Sequence, residues 1–356
     1  VTADTHAIPF GRILVTGGCG FIGSNLVRHL LGRWPELEVT NLDALTYAGN
    51  PENLAELEGD PRYRFVHGRV EDASTCEEAL QGVDAVVHLA AETHVDRSIL
   101  GPQIFIATNV LGTQVLLDCA MARQVKRVVY VGTDEVYGSA PDGTLFDEQA
   151  PFRPSSPYAA SKAAADLLAL AYHRTFGLDV VVTRCTNNYG PFQFPEKLIP
   201  LAIINAVEDQ PIPVYGDGRQ VRDWLHVEDH CRAICAVLAR GRAGTAYNVA
   251  GDCRRENLEL VTAVLERIGK PRSLIHHVAD RPGHDRRYAL ATDRIQRELG
   301  WQPGRGLDPG LEQTIAWYLD HREWWQRVRD GTYRHYYREQ YGKRLEDAQP
   351  RGEDDQ

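Results

Sequence analysis

The chain has 356 residues, 43% of them hydrophobic, which is enough apolar side chain for one large core or two closely joined domains and excludes global disorder. A formal net charge of −10 and a pI near 5.7 argue against a general nucleic-acid binder, though local basic residues still suit a small anion. No apolar stretch is read as approaching the roughly 18 residues of a membrane span, and residues 1–10 lack a signal-peptide pattern and read as a flexible leader. Seven scattered cysteines without a framework fit reduced thiols in a cytoplasmic protein.

In chain order, Arg12 to Thr16 is a short β-type run, followed at once by Gly17-Gly18-Cys19-Gly20-Phe21-Ile22-Gly23 and a helical pattern through Leu31. Glycines at 17, 20 and 23 mark a strand–turn–helix where backbone approaches a ligand closely. The helix N-terminus offers N–H groups and a positive dipole end to a pyrophosphate. A second strand, Glu38 to Leu42, runs into Asp43. An acid at that place bonds adenosine ribose hydroxyls and repels a 2′-phosphate, which favours NAD over NADP; a plain loop cap is the alternative. Tyr63 to His67 and Ala85 to Leu89 read as strands, with an acidic helix near Ala73 to Leu80 between them. Ile104 to Arg123 carries apolar residues at helical spacing, for packing on the sheet or on a partner chain.

Arg127 to Val131 reads as a buried parallel strand, which places Thr133, Asp134 and Glu135 just past its C-terminal end. Ligands bind there in open α/β sheets. Two carboxylates and a hydroxyl suggest acid–base work, against the alternative of a polar turn. A helix from Ser156 to Phe176 carries Tyr158 and Lys162 four apart on one face. The ammonium is expected to lower the phenol's pKa and make Tyr158 a base. A strand at Asp179 to Thr183 completes an alternation that predicts a doubly wound parallel sheet with helices on both faces.

After Arg184 the texture changes, with prolines at 191, 195, 200, 211 and 213 and a Gly216-Asp217-Gly218 turn. Strand-like pieces at Ala246 to Val249 and Leu274 to Val278 alternate with helices near 256–268 and 307–320. The expectation is a dinucleotide-binding domain at 11–185, then a smaller α/β lobe at 186–342 covering the strand ends, with some segments returning to the first domain. Residues 343–356 are charged, lack apolar periodicity and read as a disordered tail. His226, His230, Cys231 and Cys235 tempt a metal reading. Val227 to Ala239 instead reads as an amphipathic helix with the cysteines as apolar fillers, and no metal is expected.

Several segments together carry a resemblance. They are Thr16 to Gly23, Leu89-Ala90-Ala91-Glu92-Thr93-His94-Val95-Asp96-Arg97-Ser98, Thr133-Asp134-Glu135-Val136-Tyr137-Gly138 and Ser156 to Lys162. Asn187-Asn188-Tyr189-Gly190-Pro191, Pro195 to Pro200, Arg222-Asp223-Trp224 and Asp280 to Tyr288 extend it over nearly the whole chain. The sequence resembles the extended short-chain dehydrogenase/reductases, and among them the nucleotide-sugar 4,6-dehydratases. The resemblance implies a Rossmann-type sheet, bound NAD, dTDP-glucose as substrate and a homodimer built through helices of the NAD domain. By the same resemblance Thr133, Asp134, Glu135, Tyr158 and Lys162 are catalytic. Tyr158, assisted by Lys162 and Thr133, takes the 4-hydroxyl proton; Glu135 is the base at C5, and protonated Asp134 donates to the departing 6-hydroxyl.

Cofactor contacts implied are Gly17, Gly20, Phe21, Ile22, Gly23, Asp43, Ala44, Leu45, Thr46, Val70, Leu89, Ala90, Ala91, Thr108, Tyr158, Lys162 and Asn188. Substrate contacts implied are Thr93, Thr133, Asn187, Lys197, Leu198, Arg222, Asn257, Arg281 and His284, with Pro213 and Tyr215 as the wall around the base. Two departures stand out. Arg69 follows Gly68 where the family usually has an aspartate for the adenine amine, and Gly132 replaces the usual serine before Thr133. A 4-epimerase or a decarboxylase of the same fold needs no acid to expel a 6-hydroxyl, so Asp134 and Glu135 speak against both. A non-catalytic NAD-binding protein tends to lose the tyrosine or lysine, and both are present.

Overall fold

The computed structural model describes residues 8–329, 337 and 341–346; most of the expected leader and the chain from 347 onward lie outside the described residues. The first half builds β1 (Arg12–Thr16), α1 (Phe21–Arg33), β2 (Glu38–Asp43), β3 (Tyr63–His67), α2 (Ala73–Ala79), β4 (Ala85–His88), α3 (Val95–Leu100), α4 (Pro102–Phe105) and α5 (Gly112–Ala122). Then follow β5 (Arg127–Thr133), α6 (Pro157–Phe176), β6 (Val180–Cys185), β7 (Asn187–Tyr189), α7 (Leu198–Val207), β8 (Ile212–Tyr215), β9 (Val221–His226), α8 (Val227–Arg240) and β10 (Thr245–Val249). The chain ends through β11 (Arg254–Glu256), α9 (Asn257–Ile268), β12 (Ile275–Val278), α10 (Asp293–Leu299), α11 (Leu307–Asp320), α12 (Arg322–Val328) and α13 (Lys343–Glu346).

Seven parallel strands form the central sheet in the order β10-β6-β5-β4-β1-β2-β3, a Rossmann-type arrangement that reverses direction at β1 and β4. Its strands are Val-, Ile- and Leu-rich because helices cover both faces. Leu26, Val27 and Leu30 of α1 pack with Ile234 and Val237 of α8 on one face, and Leu116 and Ala120 of α5 with Ala165 and Ala169 of α6 on the other. The chain leaves this sheet after β6 and returns with α8 and β10, so the two lobes are not divided by one cut. The smaller lobe holds a three-stranded sheet, β11-β9-β7, and the pair β12-β8 around a core of Ile203, Trp224, Val261 and Tyr318.

Two expectations are corrected. Among the described residues, the helical run Pro102–Ala122 is long and apolar enough by length and composition to cross a membrane. The sequence reading overlooked it because Thr, Asn, Gly and Gln interrupt the run; Asp118 is its one charged residue. In the fold it packs on α2 and α6. The supposed tail also begins in a short helix, α13, which lies against β12. A π turn at Ile106–Leu111 joins α4 to α5.

Candidate active site

β1 ends in a turn that only glycine fits. Gly17 has φ +74°, and a Cβ there would lie 2.9 Å from the Ala90 backbone. A Cβ on Gly23 would sit 2.1 Å from the Gly17 carbonyl oxygen, so α1 approaches the turn only without a side chain. Thr16 braces the facing loop, its hydroxyl accepting from the N–H groups of Leu89 and Ala90 at 3.2 and 3.1 Å. Asp43 accepts from the N–H groups of Cys19 and Leu45, each at 2.8 Å, and burial raises its pKa. Asp43 is thus a loop cap whose carboxylate also lines the cavity. A bare-backbone cradle at a helix N-terminus beside a buried acceptor fits a dinucleotide's pyrophosphate and ribose.

One continuous cavity runs from this cradle to the end of β5. It is lined by Gly17, Gly20, Phe21, Ile22, Gly23, Asp43, Ala44, Thr46, Val70, Leu89, Ala90, Ala91 and Thr108 on the cradle side. Thr93, Thr133, Asp134, Glu135, Tyr158, Lys162, Asn187, Asn188 and Lys197 line the rest. Leu45 acts behind the wall, holding Asp43. Arg69 also lines the cavity with its side chain 54% exposed, 4.0 Å from Glu71, while Val70 beside it is buried. The π turn brings Thr108 to Glu71 (2.7 Å) and Asn109 to the Glu92 backbone and Ser161 (2.9, 3.0 and 2.8 Å), tying the β4 loop to α6.

α6 presents Tyr158, Lys162 and Asp166 on one face toward β5. Lys162 Nζ donates to the Val131 carbonyl at 2.7 Å and lies 4.4 Å from the Tyr130 ring centroid. Burial pushes the Lys162 pKa down to about 8, with Cys185 and Asp166 pulling it back up. Tyr158 hydrogen-bonds to Thr133, yet burial, then Glu135, hold its phenol well above the usual value. This differs from the expected lowering by Lys162: desolvation of the phenolate, followed by the Glu135 charge, sets the direction. Gly132 fits a close approach, since a Cβ there would lie 2.8 Å from the Thr183 carbonyl oxygen of β6.

The two adjacent carboxyl groups occupy unlike surroundings. Thr133 Oγ1 donates to Asp134 Oδ1 at 3.2 Å, and Asp134 Oδ2 is buried without a partner. Burial, then the Glu135 charge, push Asp134 well above the carboxylate range. Glu135 is raised by burial as well, but Arg281, Arg222 and Lys197 oppose the rise. Burial thus raises both carboxyl groups, Asp134 the further; Arg222 opposes the rise of each, while Arg281 and Lys197 oppose it at Glu135.

The remaining expected substrate residues stand on the smaller lobe. Leu198 follows Lys197 at the start of α7; Pro213 and Tyr215 lie on β8, and Tyr215 meets His284 edge-on at 5.9 Å. Arg222, on β9, donates to the Asp285 carbonyl at 2.9 Å. Buried polar atoms without partners include Asn187 Oδ1, Asn257 Oδ1 and Arg281 Nε. Sequence reasoning assigned no role to Glu92 and Glu196, which also line the cavity; Glu196 takes Arg97 at 3.2 Å. Both stand inside quoted motifs, and a carboxylate flanked by site residues was the available signal. The histidines and cysteines considered for metal are used otherwise. His226 Nδ1 accepts from the Glu228 N–H, His230 Nδ1 meets Asn188 Oδ1 at 2.9 Å, and Cys231 and Cys235 are in the core.

The glycine cradle, Asp43 and the Tyr158–Lys162 pair at the carboxyl ends of a doubly wound sheet define an extended short-chain dehydrogenase/reductase. Within that class, the chain belongs to the GDP-mannose 4,6 dehydratase family, whose sequence profile matches residues 14–314. It is 56% identical over 317 residues to a dTDP-glucose 4,6-dehydratase of Streptomyces griseus, covering 88% of this chain and 96% of that one. To the enzyme of that name from Escherichia coli it is 46% identical over 353 residues, covering 90% and 97%. The solved structure of dTDP-glucose 4,6-dehydratase from Streptomyces venezuelae with NAD bound aligns with a TM-score of 0.87 at 54% identity, covering 89% of this chain and 99% of that one. A UDP-glucose 4-epimerase from Thermus thermophilus, complexed with NAD, aligns at 0.81 with 32% identity over 87% and 99% of the two chains.

Proposed function

We propose that this chain is an NAD-dependent hydro-lyase that converts dTDP-glucose to dTDP-4-keto-6-deoxyglucose for deoxysugar biosynthesis. The single observation that carries it is the Asp134–Glu135 pair: one carboxyl buried with a free oxygen beside Thr133, the other facing three cations. An elimination of water needs a neutral acid next to an ionised base. The relatives' shared name supports thymidine diphosphate as the carrier, and their conservation of length supports the whole-chain comparison.

When bound, NAD would supply the hydride acceptor and donor, and its positive nicotinamide charge would favour the Tyr158 phenolate. Tyr158, hydrogen-bonded to Thr133, takes the proton of the 4-hydroxyl as C4 becomes a ketone. Lys162, anchored on the Val131 carbonyl, holds its charge beneath the site. The ketone acidifies C5–H, and Glu135 removes that proton. Asp134 gives its proton to the 6-hydroxyl, which leaves as water. Glu135 then returns a proton to C5 as C6 is reduced. Gly17, Gly20, Phe21, Ile22, Gly23, Asp43 and their loop neighbours would hold the dinucleotide, while Lys197, which lines the cavity, and Arg222 and Arg281 would neutralise the diphosphate by charge-assisted bonds. Asp43 selects NAD by repelling a 2′-phosphate. Seven cysteines, none of them in a disulfide, support a reducing, cytoplasmic setting.

The test is mass spectrometry of the purified protein with dTDP-glucose in heavy water, with and without added NAD. Loss of one water with one deuterium at C5 is expected. Unchanged mass with altered C4 stereochemistry would instead make the chain an epimerase, and no conversion in either condition would sink the substrate assignment.

A further inference from the structure

The end of the described chain reaches the base wall. Tyr215 closes β8 and stands where three parts of the molecule meet. Its hydroxyl donates to Asp96 Oδ2 at 3.2 Å, on α3 of the dinucleotide-binding domain, and accepts from Arg344 Nη1 at 3.0 Å. The Arg344 guanidinium carbon lies 5.3 Å from the Tyr215 ring centroid. Tyr341, 5% exposed, sets its ring 6.1 Å from that of Tyr215, and Tyr337 packs on Tyr341 at 5.1 Å. Tyr337 is fixed in turn, its hydroxyl accepting from Asn205 Nδ2 of α7 at 3.0 Å. On the other side, Asp96 Oδ1 is 3.8 Å from Arg281 Nη1.

We infer that Tyr341 and Arg344 are positioning residues for the nucleotide: they hold Tyr215 and, through Asp96, Arg281 in the geometry that binds a pyrimidine nucleoside diphosphate. This rests on the proposed function, in which Tyr215 walls the base and Arg281 meets the diphosphate. A phenol hydroxyl has one hydrogen to give. With Arg344 occupying its acceptor side, that hydrogen is committed to Asp96, and the ring plane is fixed from both ends. The guanidinium over the ring face adds a cation–π contact that a lysine reproduces poorly. Tyr341 and Arg344 meet the site at Tyr215, on the base side, so they act on affinity rather than on the chemical steps.

The experiment measures dTDP binding by calorimetry, steady-state turnover of dTDP-glucose and retained NAD for the full-length chain and for Arg344→Ala, Arg344→Lys, Tyr341→Ala and Tyr215→Phe. Arg344→Ala and Tyr341→Ala are expected to weaken dTDP binding and raise KM about five- to tenfold, the size of one ordinary hydrogen bond's net contribution felt indirectly through Tyr215, while kcat stays within twofold and bound NAD is unchanged. Arg344→Lys recovers part of the loss. Arg344→Ala placed on Tyr215→Phe adds less than it does alone, because the acceptor is already gone. Unchanged dTDP affinity in both alanine variants, or full additivity with Tyr215→Phe, overturns the inference. Failure of the unaltered chain to bind dTDP overturns the functional reading instead, and the two failures are told apart by that control.

Discussion

Asp134 and Glu135 are neighbours in sequence with opposite tasks, and what separates them is three-dimensional. Asp134 shares its burial with the Thr133 hydroxyl and feels Arg222, whereas Glu135 feels Arg281 and Lys197 as well as Arg222; the three cations come from one strand, β9, and two loop positions. The motif marked both residues as chemical; their difference was not readable because those cations lie far along the chain. Asp134→Asn is expected to leave the first oxidation intact and slow elimination by about 10²- to 10⁴-fold, the usual contribution of a positioned acid. Rapid-quench analysis would then show the 4-keto-glucose intermediate building up; equal slowing of both steps would refute the division of labour. Tyr158 repeats the lesson: its spacing to Lys162 was legible, its upward pKa shift was not, since burial decides it. Lys162 gives the pH dependence. Its pKa, lowered from 10.5 to about 8, keeps the ammonium present below that value and loses it above. The rate of the first oxidation should therefore fall as pH rises through about 8, and a single-turnover profile still flat at pH 9.5 would contradict this.

At the scale of elements, α6 was legible because its signals are local. Ser156 caps it, the hydroxyl accepting from the Ala159 N–H at 3.1 Å; Pro157 opens the first turn, and Gly177 ends it in the left-handed region at φ 75°. Ser156→Ala should cost about 1 kcal/mol, seen as a lower denaturation midpoint with an unchanged slope, and a loss under a few tenths would show that the cap is idle. The smaller lobe showed α9, α11 and β12 in the sequence but hid α7 and β8, for equally physical reasons. α7 is buried almost all round, so it shows no amphipathic period. Pro200 looks like a breaker but sits in the first turn of α7, where no N–H is needed. Pro213 looks wrong for a strand, yet among the described residues β8 pairs with β12 alone, which leaves it an edge strand. The return of β10 to the far edge of the main sheet had no local signal at all. It depends on α8 finding the apolar face of α1, a contact between segments some two hundred residues apart in the chain.

For the molecule as a whole, the question left by the fold is what covers its apolar flank. Leu100, Ile104, Ile106 and Leu111 on the α3–α5 run and Leu167 and Phe176 on α6 are exposed, Leu100 by 71%. An apolar flank of this kind marks an interaction surface. The same run is the one long and apolar enough to cross a membrane, but it is already packed on α2 and α6 along its inner side. A helix half buried in its own domain is poorly placed to span a bilayer and well placed to meet a second copy of itself across a two-fold axis. A homodimer through the α3–α4 end of this run, its π turn and α6 is therefore expected, as the family resemblance also implies. Light scattering should give twice the chain mass of 39.8 kDa. Ile106→Glu combined with Leu167→Glu should shift it to the single-chain mass, because two charges would be forced into a dry interface. Flotation with liposomes supplies the counter-test: a monomeric parent that floats, and a double variant that no longer does, would assign this flank to a membrane and overturn the dimer.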